Sequence, residues 1–394
     1  MRIEGFSSAA IAAGIKYKER LDLGLIYSEE PAVTAGVFTT SQVVAAPLVV
    51  DMTRLKQGRA QAILVNSGCA NACTGAEGMK NCLAVSRLAA ERLQIDEGMV
   101  QLSSTGVIGE QLNVEAFEKG MPQLVDGLGP ENFEAVAEAI MTTDTCKKTV
   151  SRSLEIGGKT VSFMAMAKGS GMIMPNMATM LAFVITDALI GFVELNDALK
   201  KAVDATFNRI TVDGDTSTND MVLIMANGRA GNPWIEEIDS PDHALFRSCL
   251  EDMLKELAMM IVEDGEGATK LITVRVCGAR EQQEALQIAR TVANSSLVKT
   301  AFFGEDANWG RIIAAMGRSG VKFNPDKVDI FFDEIRIVEN GVATTTEAEA
   351  AAGEILKNKK ILVAVDLKEG SGCEEVYTCD FSLDYVRINA DYRS

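Results

Sequence analysis

Three segments of this chain combine glycines with hydroxyl, amide or charged side chains, the residue types that build catalytic turns. They lie at residues 103–109, 168–181 and 213–220. The first follows a predicted strand, and such a turn directs a threonine hydroxyl and backbone N–H groups at a developing negative charge, although ordinary strand-to-helix turns share its composition. The second is not a phosphate-binding P-loop, because Lys168 precedes the glycines. The third lacks calcium-loop spacing and predicts a structural turn ordered by aspartate and threonine side chains.

Histidine is almost absent from the sequence, which restricts the possible bases. His243 is the single histidine, and the serine, proline and aspartate before it predict a turn that opens a helix, with the imidazole facing solvent. A serine–histidine–aspartate triad, a cysteine–histidine dyad or a multi-histidine metal site would each require that one residue. If the chain is an enzyme, we therefore expect its base not to be histidine.

Thr179 is a small nucleophile in a predicted packed strand, after a stretch that contains glycine and proline. Without a usable histidine its hydroxyl needs another base, and one known solution is the free α-amine of an N-terminal threonine. The ordinary α-amine pKa of about 7.7–8.0 suits this task. An internal threonine acquires such an amine only when the chain is cut before it, and the composition alone leaves this open.

The composition is that of a folded, acidic protein. The 394 residues include 38 basic and 55 acidic side chains, giving a formal charge of −17. This excess disfavours general binding to nucleic acid or anionic membranes, but not to a small anionic substrate. The eight cysteines form no C-x-x-C pair, so we expect no metal site, reduced thiols and a cytoplasmic location. No secretory signal is evident, and polar residues interrupt the longest apolar run, 172–193.

The hydrophobic pattern predicts strands that alternate with helices. Strands are predicted at residues 23–27, 33–39, 61–65, 100–104, 149–154, 159–168, 178–185, 210–215, 221–227 and 269–278. Helices are predicted at residues 78–94, 114–124, 130–141, 193–207, 244–263, 281–295 and 346–356. With neither a repeat nor a hinge between domains, the sequence predicts an α/β fold with mixed sheets covered by helices.

Many short motifs, in order along the chain, resemble those of a known family. They lie at residues 5–6, 12–16, 35–40, 66–72, 104–109, 141–145, 167–173, 175–181, 212–220, 266–270, 304–311 and 389–394. Together they resemble the ornithine acetyltransferase family, the glutamate N-acetyltransferases of the arginine pathway, over nearly the whole chain. The resemblance implies a self-processing, N-terminal-nucleophile-like α/β sandwich.

The resemblance also implies a definite chemistry. The precursor would cut itself between Ala178 and Thr179, leaving an α chain of residues 1–178 and a β chain of residues 179–394. Thr179 would then take the acetyl group from N2-acetyl-L-ornithine and pass it to L-glutamate in a ping-pong reaction. Thr105 and Gly106 match the family's oxyanion hole. The positions that match its substrate-binding residues are Thr142, Lys168, Thr179, Glu266, Asn389 and Ser394.

Without the resemblance, Lys168 is typical of a surface lysine and Glu266 of a loop glutamate. No cofactor is expected, although some members of the family also use acetyl-CoA as acetyl donor, for which the sequence shows no evident basic or glycine-rich channel. The expected partners are these small molecules and the chain's own fragments in an α2β2 heterotetramer, with no nucleic acid and no membrane.

Two other functions stay open. The first is a self-processed N-terminal-threonine aminopeptidase or amidase of similar fold, in which water replaces glutamate as the acceptor. The second is a small-molecule-binding protein without activity, against which Thr179, with Ala178 before it, and the pair Thr105-Gly106 argue.

Overall fold

A computed structural model describes residues 1–16, 18–174 and 180–391 of the chain. These residues divide into two compact units. The first unit contains the described residues of 1–172, 176–208 and 215–261, and the second those of 173–175, 209–214 and 262–394.

The first unit is built around a mixed sheet. Its strands are β1 (Phe6–Ile11), β2 (Leu23–Phe38), β3 (Arg59–Asn66), β4 (Val100–Ser104), β5 (Lys148–Ile156), β6 (Lys159–Lys168), β7 (Leu181–Thr186) and β8 (Met221–Ala226). Their order is β4-β3-β2-β8-β7-β6-β5, with β1 paired to β2. The pairs β3–β4 and β7–β8 are parallel, and the other pairs are antiparallel. Strands that lie far apart in the sequence are thus neighbours in one sheet.

Strand β2 differs from its prediction, because it is one long strand rather than two short ones. Its first part pairs with β3 and its last part, Val33 to Phe38, pairs with β8. The register shifts between Tyr27 and Ala32, and Pro31 lies in that interval. Proline has no N–H to donate to a ladder, so an irregularity accommodates it while the strand continues.

Helices cover this sheet and divide its core. They are α1 (Ala46–Arg54), α2 (Gly75–Leu93), α3 (Val114–Asp126), α4 (Phe133–Ala139), α5 (Phe192–Ala205) and α6 (Pro241–Glu263). Alternate residues of β3 point to the two opposite faces of the sheet, as the two-residue period of a strand requires. Ile63 belongs to one buried cluster with Phe183 and Leu223, whereas Leu64 belongs to another with Phe117 of α3.

The second unit has its own sheet and its own core. Its strands are β9 (Leu271–Ala279), β10 (Asp329–Phe332), β11 (Ile335–Glu339), β12 (Val342–Ala343), β13 (Lys360–Asp366) and β14 (Gly372–Cys379), in the order β12-β11-β10-β13-β9-β14. Its helices are α7 (Gln282–Ala293), α8 (Ser296–Phe303), α9 (Trp309–Gly317), α10 (Thr346–Ile355) and α11 (Leu383–Ala390). Apolar residues of β9, including Val274, pack with Ile288 and Val292 of α7.

These elements confirm the predicted α/β class with mixed sheets and covering helices. Two further predictions were wrong. The predicted strand at 210–215 is reduced to a single bridge between Ile210 and Tyr377, and the predicted helix at 130–141 is shortened to α4. The predicted strand at 178–185 begins outside the described residues and continues as β7. None of the helices in the described part of the chain combines the length and the apolar character needed to cross a membrane.

Candidate functional site

Lys168 is the last residue of β6, where it lies opposite Leu181 of β7. Its side chain is buried, with 7% exposed, rather than at the surface. The Nζ atom donates to Thr142 Oγ1 at 2.9 Å and reaches Thr105 Oγ1 at 3.4 Å. Three predicted site residues, Thr105, Thr142 and Lys168, therefore meet in the first unit, and we call them the Lys168 cluster.

A buried carboxylate lies beside this cluster. Asp144 Oδ2 is 3.9 Å from Lys168 Nζ and accepts from the Thr142 N–H, while its Oδ1 accepts from Lys148 Nζ at 2.8 Å and from the Gly169 N–H at 2.7 Å. Burial alone would raise the pKa of the Asp144 carboxyl, but the charges of Lys168 and Lys148 and these hydrogen bonds lower it to about 2. One ionised carboxylate therefore lies beside two buried ammonium groups.

The turn after β4 contains Thr105 and Gly106. Thr105 donates its N–H to the Asn66 carbonyl at 3.0 Å. Gly106 has a φ of 131°, and a Cβ atom at this position would lie 2.3 Å from the carbonyl carbon of Gly68, so only glycine fits. Within the described part of the chain the Gly106 N–H has no hydrogen-bond acceptor. A threonine hydroxyl next to an unused N–H is the donor arrangement of an oxyanion hole.

Asn219 holds this turn in place, a role that the sequence did not indicate. Its Nδ2 donates to the carbonyls of Ala70 and Ser104 at 2.7 and 2.8 Å, and the second of these residues directly precedes Thr105. These partners lie more than a hundred residues away in the sequence, so no local pattern could reveal the contact.

Two aspartates of the segment 213–220 bond to the two sides of the predicted cleavage segment. Asp213 Oδ1 accepts from the Ile173 N–H at 2.9 Å, within the second unit. Asp220 Oδ1 accepts from the Met180 N–H at 3.0 Å, within the first. The segment is therefore more than a turn ordered by its own side chains.

Two other predicted residues meet in the second unit. Asn389, on α11, donates from Nδ2 to Glu266 Oε2 at 2.7 Å. Glu266 is buried, contrary to the expectation of an ordinary loop glutamate. The Ser382 hydroxyl before α11 donates to the Gly267 carbonyl and holds the loop that carries Glu266. Of the remaining predicted residues, Ala178, Thr179 and Ser394 lie outside the described residues.

The prediction that His243 faces solvent is wrong, because its side chain is fully buried. Its Nδ1 accepts from the Asp239 N–H at 3.2 Å, and its Nε2 lies 3.0 Å from the Glu194 carbonyl. The tautomer with its proton on Nε2 satisfies both backbone groups. The ring thus connects the start of α6 to α5 and to the preceding loop.

The cysteines also depart from expectation. Cys277 and Cys373, on the neighbouring strands β9 and β14, form a disulfide, whereas all thiols were expected to be reduced. Among the described residues, no group of three or more histidine, cysteine or acidic side chains is arranged to hold a metal ion.

A cavity of about 480 Å³ in the second unit brings lysines together. It lies at the start of β9 and β13, and it is lined by Glu263, Ala268, Thr269, Lys270, Leu271, Lys359 and Lys360. Lys360 is paired with Glu263, and Lys270 is 3.8 Å from Glu305. Lys359 has no ion-pair partner among the residues that the structure describes. Sequence reasoning missed this basic site because its lysines come from two distant segments.

Comparison with known proteins gives one consistent result. A family model described as the ArgJ family matches residues 7–394. The chain is 63% identical, over 100% of both chains, to the arginine biosynthesis bifunctional protein ArgJ of Desulfotalea psychrophila. It is 51% identical, again over 100% of both chains, to the protein of the same name from Geobacter sulfurreducens. A crystal structure of this bifunctional protein from Bacillus halodurans is 46% identical with a TM-score of 0.51, covering 53% of this chain and 97% of that one.

Proposed function

Because this chain belongs to the ArgJ family, we propose that it transfers an acetyl group from N2-acetyl-L-ornithine to L-glutamate, with Thr179 carrying the group in between. The observation that carries this proposal is the Lys168 cluster, in which one buried ammonium meets two threonine hydroxyls. These groups come from three distant parts of the sequence and are the donors that acyl transfer requires.

The proposed reaction begins with a cut between Ala178 and Thr179. The cut frees the α-amine of Thr179, which then accepts the proton of its own hydroxyl. Strand pairing supports a lasting association of the resulting chains, 1–178 and 179–394. Strand β6 precedes the cut and β7 follows it, yet they are hydrogen-bonded neighbours, as are β2 and β8. Separating the chains would expose the apolar faces of this sheet to water.

Acetyl transfer then proceeds through two tetrahedral intermediates. In each, the Thr105 hydroxyl and the Gly106 N–H stabilise the negative oxygen, while the nearby Lys168 ammonium favours negative charge. The acetyl-threonine forms as ornithine leaves. The amine of glutamate attacks it next, restoring the free hydroxyl. The same donors serve both halves of the ping-pong cycle, because each half passes through the same kind of oxyanion.

The substrates carry charges that the remaining residues match. We propose that Thr142 and Lys168 bind the carboxylate of the amino acid. Glu266, held by Asn389, binds an ammonium group, and Ser394 contributes from the end of the chain. The burial of Glu266 and Lys168, each in contact with another predicted site residue, supports these roles.

The relatives' name, bifunctional protein, favours acetyl-CoA as a second acetyl donor. The lysine-lined cavity in the second unit supports this activity, because Lys359, beside the paired Lys270 and Lys360, offers a cation to a phosphate group in a chain that is otherwise acidic. Two of its lining residues, Glu263 and Ala268, lie on either side of Glu266 in the sequence.

Substitution of Lys359 tests this second activity. Lys359→Glu is expected to raise the KM for acetyl-CoA about tenfold, through loss of one charge pair, and to leave the KM for acetylornithine unchanged. The matched control is Lys322→Glu, at an exposed lysine that does not line the cavity. Equal changes for both donors would contradict a role in binding CoA.

The test of the main function is ornithine release from N2-acetyl-L-ornithine, measured with and without glutamate. Rapid release that requires glutamate and forms N-acetylglutamate supports transfer. Release at the same rate without glutamate, with acetate as the product, would identify the amidase alternative instead. We further propose that the cleaved chains assemble as an α2β2 heterotetramer in the cytoplasm, which light scattering of the purified protein and cell fractionation test.

A further inference from the structure

Asp220 bonds to Met180, the residue that follows Thr179 in the sequence. Its Oδ1 accepts from the Met180 N–H at 3.0 Å, and the next residue, Met221, donates its N–H to the Met180 carbonyl at 3.1 Å. Both backbone groups of Met180 are therefore fixed by the start of β8.

The second oxygen of this carboxyl has no hydrogen-bond partner in the described part of the chain. Asp220 is 1% exposed, and Oδ2 is completely buried. A buried polar atom without a partner is costly, and natural proteins retain such atoms mainly where they serve a function. The other segment aspartate, Asp213, offers no such vacant oxygen to the cleavage segment.

The surroundings favour the protonated form of this carboxyl. Burial raises the pKa of Asp220 well above its usual range, and the hydrogen bond from Met180, the nearby Ser217 and the charge of Lys168 offset only part of this rise. Lys168 is the charged group that faces it from β6, and Ser217 contributes a hydroxyl from the loop before β8. A neutral carboxyl has a proton to donate, which a carboxylate does not.

We propose that Asp220 is the proton donor of the self-cleavage step. The proposal rests on the proposed cut before Thr179. The threonine oxygen forms an ester bond to the carbonyl carbon of Ala178, and the bond from that carbon to the nitrogen of residue 179 breaks. Oδ2 gives its proton to the departing nitrogen, and the carboxylate regains the proton that the threonine hydroxyl loses. Water then hydrolyses the ester, so no other reagent is consumed.

The test follows cleavage of the full-length chain made in a cell-free translation system, with timed samples separated by size. Asp220→Asn keeps an acceptor for the Met180 N–H and nearly the same volume, but it has no proton to transfer. We expect it to slow the cut about 10²-fold or more. The matched control, Asp213→Asn, changes the aspartate of the same segment that bonds to Ile173, and we expect it to cut at nearly the normal rate.

Two further measurements keep folding separate from chemistry. Asp220→Asn and Thr179→Ala are both expected to remain largely uncut, so their melting temperatures can be compared as two uncut chains. The wild-type cleavage rate, which needs no variant, is measured against pH and is expected to fall as pH rises and Asp220 loses its proton. Normal cutting by Asp220→Asn, or a wild-type rate that rises throughout with pH, would overturn the proposal. A wild-type chain that never cuts would instead overturn the proposed function.

Discussion

Two buried lysines, Lys168 and Lys299, lie in different units of the molecule and in opposite kinds of surroundings. Lys168 contacts two hydroxyls and lies near the ionised carboxylate of Asp144. Lys299 donates to Thr378 Oγ1 at 2.7 Å and to the Cys379 carbonyl, and its Nζ lies 4.6 Å from the ring centroid of Phe381. Among the described residues it has no ion pair within 4.0 Å.

We propose that this difference separates a lysine that serves the chemistry, Lys168, from one that serves the structure, Lys299. The Lys299 ammonium bonds to neutral acceptors and joins α8 to the end of β14. Burial lowers its pKa, and the nearby Cys379 and Asp380 offset only part of that change. Lys168 instead contacts two threonine hydroxyls of the predicted site and shares the Asp144 carboxylate with Lys148. Burial alone therefore does not distinguish the two lysines; the groups that each ammonium contacts do.

The largest effect is expected when Lys168 is replaced. Lys168→Met should lower kcat for acetyl transfer about 10³-fold, because it removes the cation beside the developing oxyanion. Lys299→Met is the matched comparison, and its kcat per folded molecule should stay within about twofold of the wild-type value, as expected for a group that takes no part in the transition state. Steady-state ornithine release measures both. Equal losses of kcat in the two variants would contradict the distinction between a catalytic and a structural lysine.

A somewhat smaller loss is expected at Thr105. Thr105→Ala removes one hydroxyl donor and should reduce kcat about 10²-fold. The KM should change little, since the donor acts on the transition state more than on the bound substrate. Full turnover in a variant that is normally cleaved would assign the oxyanion contact to another group.

The stability of the folded protein should be affected by replacement of Lys299, the lysine whose loss is expected to change kcat least. Lys299→Met leaves the Thr378 hydroxyl and the Cys379 carbonyl without their buried donor, so the free energy of unfolding should fall by about 2–3 kcal/mol. Urea unfolding, monitored by circular dichroism, measures this change. A variant as stable as the wild type would show that the buried ammonium makes no net structural contribution.

The smallest expected effect is in the pH dependence of stability. Asp144 has a folded pKa of about 2, below its ordinary value of 3.8. It therefore contributes about 2 kcal/mol above about pH 4, and this is lost as pH falls towards about 2. The lowered pKa of Lys299 acts at the alkaline end of the pH range. The unfolded chain holds the Lys299 proton more tightly than the folded one, so the free energy of unfolding should rise with pH there. Asp144→Asn should remove only the acid part, as unfolding at a series of pH values will show.

The sequence predicted most of the fold because strands such as β3 are continuous apolar runs and helices such as α2 have a clear apolar face. It failed where distant pairing decides the outcome. The exposed stretch around Pro31 suggested a break between two strands. Pairing with β3 and β8 instead keeps β2 a single continuous strand across this stretch. His243 looked exposed because its backbone partners belong to α5 and to the preceding loop.

The site was predictable only in part. Lys168 and Glu266 came from the resemblance, since neither has a local signal of burial. Asn219 and Asp220 were missed as individual residues because the roles proposed for them depend on contacts with Ser104 and Met180, which folding alone brings close. Motif order thus predicted the chemistry, whereas three-dimensional pairing indicates the residues that we propose hold and assist it.

The central claim, that Thr179 is exposed by self-cleavage and carries the acetyl group, is tested most directly by mass spectrometry of the acetyl-enzyme. The purified protein is mixed with N2-acetyl-L-ornithine in the absence of glutamate, quenched in acid and digested. We predict two chains that meet between Ala178 and Thr179, with one acetyl group on Thr179 that disappears when glutamate is added before quenching. An uncut chain that still transfers acetyl groups, or an acetyl group on any other residue, would contradict the account.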